Sequence, residues 1–490
     1  MCPFMKQIKK GLCGILALTM CISVMTGCAA NPDKGVVTSK NDGVFEQNLT
    51  VAATAPLDEQ LQYTDTFTSH DGTAEYTINL DQELTSDPLP IVEVVPHFFT
   101  GEEVKHIAHV LFGDADFYER EPWENPQYSK TQLQKKINLL SQLANKSALQ
   151  ELYGGDGDYA DEIEIIQLYM QRYTTQMETA PDENPHVPCD WTFKSDSIYS
   201  DPTYGSEVIY ATVDLGDVNY KIYTSRRDRS DYIQNSLSVQ FGDGLGYDNL
   251  ERDYYIAGLC RTGKPTEEQI AAVKEKAENY LEQMNMGDWS VCSVEVDSDQ
   301  KGTVSQYEIT VMAMPVFNGV PALYGQPMGN LTSSDANASN YLMTGAMFIF
   351  SANGDLIYFS MDAPVDVKTV VNESAAILSV DELMEKAKTQ LSLSGVAAGI
   401  GLPYGIYDIR QDVFGEDITC KITIKEMGFG LARIKVPNTD YTYYYVPALV
   451  LYGAADYYGQ YSGTYFEQWS VDDQDLVWIN AVDGSIIGET

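Results

Sequence analysis

TEEQIAAVKEKAENYLEQM, residues 266–284, decides the fold class. Thr266 and Gln269 have the spacing of a capping box, in which each side chain satisfies the other residue's backbone N–H at a helix start. Ile270, Val273, Ala277, Leu281 and Met284 then recur at helical spacing, so one face of this helix is apolar. Beyond Met284 the pattern alternates instead. Strand-like runs surround Trp289–Val296 and Tyr307–Met314, then comes VPAL (320–323), then FIFSANGDLIYF (348–359), a hairpin turning at Asn353-Gly354. A capped amphipathic helix with antiparallel strands after it is an α+β unit, and its apolar stripe needs the sheet to cover it.

The same order returns further on. Ser379 and Glu382 cap a helix carrying Leu383, Ala387 and Leu391. ITCKITI (418–424) and YYYVPALVLYG (443–453) come next, and VWINAVDGSIIGE (477–489) closes with a turn at Asp483-Gly484. From cap to proline is 55 residues in the first unit (266 to 321) and 68 in the second (379 to 447). From proline to turn is 32 (321 to 353) and 36 (447 to 483). Two repeated modules are expected, 264–363 and 379–490, with Pro321 equivalent to Pro447 and Asn353 to Asp483.

Upstream, AEYTINL (74–80) and PIVEVV (90–95) read as strands. Thr100 with Glu103 and Ser129 with Gln132 form two further capping boxes, and a third helix spans Tyr159 to Tyr173. Between Trp191 and Phe241 alternation returns. Residues 61–255 are therefore expected as an N-terminal α+β domain.

The first residues carry an address. Lys6, Lys9 and Lys10 precede an apolar run from Leu12 to Met25, too short for a comfortable membrane span. Thr26-Gly27-Cys28 then resembles the lipobox of bacterial lipoproteins, with Met25 where leucine is usual. The resemblance implies a signal peptide of residues 1–27, cleaved before Cys28, and a diacylglycerol on the Cys28 thiol. Two acyl chains anchor firmly where one is marginal. The expected location is the outer face of the cell membrane, extracytoplasmic, with residues 28–60 as a polar tether.

The chain has 31 Lys and Arg against 71 Asp and Glu. Removing the three signal lysines takes the net charge from −40 to −43. So acidic a surface repels nucleic acid and concentrates cations, which excludes nucleic acid as a partner. Beyond the signal and Cys28, the cysteines are Cys189, Cys260, Cys292 and Cys420. Cys420 alternates with Ile422 and Ile424, and Cys292 with Val294 and Val296. Both are expected on apolar strand faces as buried thiols, with disulfides left as the alternative.

Several constellations suggest chemistry and have blander explanations. His106 and His109 could share a metal but sit opposite the apolar stripe of Val104, Ile107 and Leu111, as a surface pair. Asp297 to Glu308 nearly matches a calcium loop, yet Lys301 replaces an oxygen ligand and Glu308 falls within a strand pattern, so a polar turn suffices. Acids at Asp156, Asp158, Asp161 and Glu162 suit a helix N-terminus. A run of tyrosines between Tyr441 and Tyr465 could stack sugars, or could be half buried as in any sheet. Arg261-Thr262-Gly263-Lys264-Pro265 has proline where a P-loop needs Ser or Thr. No catalytic residue, metal or cofactor is expected.

The capped helix, strands and final A-V-D-G-S-I-I resemble the PepSY-type module of exported bacterial proteins. They also resemble the repeated modules of the YycH/YycI regulators of a cell-wall sensor kinase, over residues 264–490. The whole chain is similar to lipoproteins of Gram-positive gut bacteria that share a domain of unknown function. The resemblance implies a binding, regulatory or scaffolding role without catalysis, with another exported or membrane protein as partner. Alternatives are a solute-binding lipoprotein for sugars or peptides, or a surface hydrolase using paired carboxylates.

Overall fold

All four capping boxes start helices. In the computed structural model Thr100, Ser129 and Thr266 each accept from the N3 backbone N–H while the N3 side chain accepts from the cap. Ser379 and Glu382 do the same, Ser379 N–H donating to Glu382 Oε2 at 3.1 Å and Glu382 N–H to Ser379 Oγ at 3.3 Å. The structure describes residues 48–53, 58–85, 88–119, 128–153, 157–183, 187–195, 206–215, 218–229, 232–241, 249–260, 263–301, 304–323, 344–394, 419–436, 439, 441–461 and 464–487. Cys28, the signal and most of the expected tether lie outside them.

The chain is α+β. It begins with β1 (Asp58–Thr68), β2 (Ala74–Thr85) and β3 (Ile91–Pro96), then α1 (Gly101–Phe112) and β4 (Phe117–Glu119). Helices α2 (Lys130–Leu143), α3 (Lys146–Tyr153) and α4 (Ala160–Met177) come next, then β5 (Lys194–Ser195), β6 (Glu207–Leu215), β7 (Val218–Arg229), β8 (Tyr232–Phe241) and α5 (Asn249–Cys260). After these are α6 (Glu267–Met284), β9 (Trp289–Lys301), β10 (Val304–Phe317), β11 (Val320–Pro321), β12 (Gly345–Ser351), β13 (Leu356–Asp362) and β14 (Val365–Asn372). The last are α7 (Val380–Ser394), β15 (Thr419–Lys435), β16 (Tyr443–Tyr461) and β17 (Thr464–Asn480).

The two sheets do not follow the expected domain boundaries. One runs β1-β2-β15-β16-β3-β14 with β17 also on β16; the other runs β11-β10-β12-β13-β8-β7-β6-β4 with β5 on β6 and β9 on β10. The first three strands of the expected 61–255 domain therefore belong with the C-terminal module, including a parallel pairing of β2 with β15. Strands β4 to β8 instead continue the sheet of the first module, through β8 against β13. The tether ends early as well. Ala53 N–H donates to Ser374 O and Ala376 N–H to Val51 O, both at 2.8 Å, and β1 starts at Asp58. Its alternation of Leu61, Tyr63 and Phe67 is broken by Asp65, which takes the Lys388 ammonium.

Each module keeps a helix on its sheet. α6 buries Val273, Ala277, Leu281 and Met284, beside α1, over Ile309, Val311, Phe348, Phe350 and Phe359. α7 buries Leu383, Met384, Ala387 and Leu391 over Tyr76, Ile78, Ile422, Ile424, Leu449 and Tyr457. In both, the residue seven after the cap lies over the glycine of the final turn. Val273 stands over Gly354, and Lys386 so closely over Gly484 that an added Cβ there would come within 2.2 Å of the lysine chain. Asn353 and Asp483 thus hold corresponding turns.

The prolines do not correspond. Pro321 sits in the two-residue β11, paired only with Val316, and the next residues cross to the other sheet: Ala322 bridges Leu431, and Leu323 N–H donates to Leu431 O at 2.9 Å. Pro447 lies inside β16, where β3 pairs with residues 443–445 and β17 from Ala448 onward. Its carbonyl accepts from Ala481 N–H on that outer side. Because N–H and C=O of a strand residue point the same way, its missing N–H falls in the gap between the two ladders. The shared V-P-A-L does two different jobs.

Candidate ligand cavity

Helices α2, α3 and α4 pack on one another through Leu133, Leu140, Leu143, Leu149, Leu152, Ile166 and Tyr173, with Ala257 of α5. This helical group does not close fully on the adjoining sheet. Between them lies a cavity of about 630 Å³. Gln142 and Leu143 line it from the end of α2, Ala148, Glu151 and Leu152 from α3, and Tyr254, Ala257, Gly258 and Leu259 from α5. The sheet contributes Tyr220 of β7, Phe241 of β8 and Asp355 from the β12–β13 turn. A few hundred cubic ångströms with mostly apolar walls and a few polar groups is the ordinary form of a small-molecule site.

Its polar groups are set by their neighbours. Tyr220 donates its hydroxyl to Leu356 O at 2.6 Å, and its ring meets Phe241 edge-on at 5.2 Å. Burial, with Asp355 adding, pushes the Tyr220 phenol well above its ordinary range, so it stays neutral. Asp355 accepts from Ser351 Oγ through Oδ2 at 2.8 Å. Behind the wall Cys260 is fully buried, and burial, with Glu308 and Asp355, pushes its thiol up to about 12. It is therefore a packed thiol and no nucleophile. An added Cβ on Gly258 would meet nothing within 4 Å, so the helix leaves open space there.

A second polar cluster sits where the chain passes between the sheets. His97 comes directly after β3, and its Nδ1 lies 3.0 Å from Asp366 Oδ1 of β14. Its Nε2 lies 3.2 Å from Glu103 Oε1, within ion-pair range although not aligned as a hydrogen bond. Burial raises the Glu103 carboxyl, but bonds from the Thr100 N–H and hydroxyl and the charge of His97 outweigh it, and the net shift is downward. Fully buried Asn235 of β8 donates to His97 O through Nδ2 and accepts from Phe99 N–H at 3.4 Å. Its backbone carbonyl accepts from Ala363 N–H at 2.7 Å.

The residues singled out from sequence are placed elsewhere. His106 is exposed with Nε2 2.8 Å from Gln283 O, whereas His109 has Nδ1 2.8 Å from Gly113 O and packs edge-on against Phe117. The two imidazoles thus serve different carbonyls. Asp297 and Glu308 are cross-strand partners in the β9–β10 hairpin, so no calcium loop wraps between them. Among the described residues, no group of three or more His, Cys, Asp or Glu could hold a metal ion. Tyr443, Tyr445 and Tyr457 are core residues, whereas Tyr441, Tyr444, Tyr452 and Tyr458 are half-buried; the side chains of Tyr461, Tyr465 and Trp469 lie outside the described residues.

The four cysteines among the described residues, Cys189, Cys260, Cys292 and Cys420, are free thiols. Cys420 is buried as its alternation implied. Cys292 is exposed, which corrects the expectation. The ladder of β9 with β10 slips between Met312 and Ala313, pairing them with Ser293 and Val291 and leaving Cys292 as the extra residue of a bulge. The bulge reverses the phase that Val294 and Val296 had suggested.

Sequence reading missed the cavity, since its walls come from segments separated by up to 213 positions (142 to 355). Helices α3 and α5 also went unseen. Among the described residues, no helix is long and apolar enough to cross a membrane.

No family model matches the chain, and no curated protein matches it. It is similar to a solved structure, that of an uncharacterized protein from Eubacterium rectale ATCC 33656. That likeness covers 91% of this chain and 97% of the other, at 13% sequence identity and a TM-score of 0.36.

Proposed function

We propose that this protein is an extracytoplasmic lipoprotein, anchored through Cys28, that binds a ligand in the cavity beside α5 without turning it over. The cavity's walls carry the reading. They are mostly apolar and aromatic, with Gln142, Glu151 and Asp355 as the polar members, and burial keeps the lining Tyr220 phenol and the Cys260 thiol behind it neutral. Such a lining holds a molecule by excluding water from apolar surface, at roughly 25 cal/mol per Å² buried. The test uses the mature chain and its Gly258→Phe variant, whose added ring fills the open space. Native mass spectrometry of protein taken from membranes should show a small-molecule adduct on the wild type and none on the variant. Equal spectra, with no adduct on either, would remove the cavity as the ligand site. Hydrolysis of a glycoside that stops on changing Glu151 or Asp355 would replace binding with catalysis.

A second reading, docking of another exported or membrane protein, has its own support. Strand β14 is an edge strand, and Val367 and Val370 on it are 54% and 42% exposed. Exposed apolar side chains on a sheet edge favour pairing with another chain. Crosslinking from a photoreactive residue at position 367 in native membranes, with identification of the captured protein, tests it.

A further inference from the structure

We infer that the cavity beside α5 takes the hydrocarbon chain of an amphiphile, with the chain inward and the polar end left at the rim. The inference rests on the cavity being the ligand site, and it goes further by naming the class of ligand. Burial sorts the lining into two zones. Leu143, Leu152, Tyr220, Phe241 and Ala257 are buried and form the floor. Gln142, Glu151, Tyr254 and Asp355 line the same cavity but are exposed, so its polar groups stand where water reaches them.

The floor has little to give a polar ligand. Its side chains carry a single polar atom, the Tyr220 hydroxyl, whose proton is committed to Leu356 O at 2.6 Å. The Tyr220 and Phe241 rings pack edge-on against each other and present a wall. A sugar or peptide pushed against that floor would strip water from its hydroxyls or amides without replacing their hydrogen bonds, which is costly. A hydrocarbon chain loses nothing there and gains from leaving water.

The rim does not select one head group by charge. Lys276 Nζ donates to Gly354 O at 2.7 Å, next to Asp355 in the chain, and Asp355 Oδ2 accepts from Ser351 Oγ. Glu151 and Tyr254 hold partners of their own. Selection therefore falls to the chain. Gly258, exposed and with open space at its missing Cβ, is the place where a bulky side chain would stop entry.

The experiment measures calorimetric binding of straight-chain hexanol, heptanol and octanol, and of octanediol with a hydroxyl at each end. Affinity should rise about fourfold with each added methylene, the value of one CH2 group removed from water. The diol should bind about tenfold more weakly than octanol, because its second hydroxyl is carried to the floor. Gly258→Phe should abolish binding of every alcohol. If Gly258→Phe abolishes binding but affinity is flat in chain length, or the diol matches octanol, the cavity stands and the hydrocarbon-chain inference is refuted. If no alcohol binds while the native adduct is still lost on Gly258→Phe, the inference is again refuted and the cavity remains the ligand site. Alcohol binding that Gly258→Phe leaves unchanged would overturn the cavity reading and the inference together.

Discussion

Pro96 and Val365 stand opposite each other across an antiparallel ladder, although 269 positions separate them (96 to 365). The chain leaves the first sheet at one of these residues and re-enters it at the other. Everything between, including the second sheet, its helices and the cavity, is an excursion from a single strand pair. Asn235 ties the two crossings together, holding His97 and Phe99 on the way out and Ala363 on the way back.

That joint should be costly to break. Asn235→Ala removes both side-chain bonds and leaves the buried Phe99 amide without its Asn235 acceptor. The expected loss is about 2–4 kcal/mol, read from urea denaturation. A midpoint shift within the error of the wild type would show that the crossings hold without it.

Two glycines should respond in opposite directions to the same change. Gly258 lies within α5 and has open space at its missing Cβ, so Gly258→Ala should stabilise by about 0.5–1 kcal/mol through helix propensity. Gly484 has φ +76° and the Lys386 chain against it, so Gly484→Ala should destabilise by at least about 1–2 kcal/mol. Thermal melts of the two variants decide the matter; a shared direction would contradict the packing described.

Thiol labelling should follow burial. Cys292, exposed at its bulge, reacts first with a maleimide, and Cys260 and Cys420 react only on unfolding. Burial pushes both buried thiols up to about 12, from an ordinary value of 9.0. Their neutral form is favoured by the fold, so this stabilisation is fully present below pH 9.0 and is lost as pH rises toward about 12. Labelling of Cys260 at the rate of Cys292 in native protein would refute the assignment.

Anchoring is open to a direct test. Cys28→Ala should prevent lipidation and release the protein from its lipid anchor, and globomycin should block processing of the wild type. Mature mutant in membranes at the wild-type level, together with globomycin-insensitive processing, would exclude the lipobox.

The sequence by itself determined the α+β class, the starts of four helices and the positions of both final turns. These rest on contacts within a few residues: Thr266 with Gln269, Ser379 with Glu382, a glycine at positive φ after Asn353 or Asp483. Alternation likewise marked β6, β7 and β15 as strands. Tertiary structure decided which sheet each strand joins, because period two records a buried face and says nothing of the partner. β1 to β3 could not be assigned to β15, β16 and β14 from any local pattern. The V-P-A-L strings look alike and differ in role, since only the surrounding ladders place Pro447 in a gap and send Ala322 to Leu431. Cys292 is exposed because it is the extra residue of a bulge in its own strand, β9, opposite the Met312–Ala313 step, and the bulge reverses the alternation. The cavity is the furthest from the sequence: it is space left where α2, α3, α5 and a sheet end meet, and no residue encodes it alone.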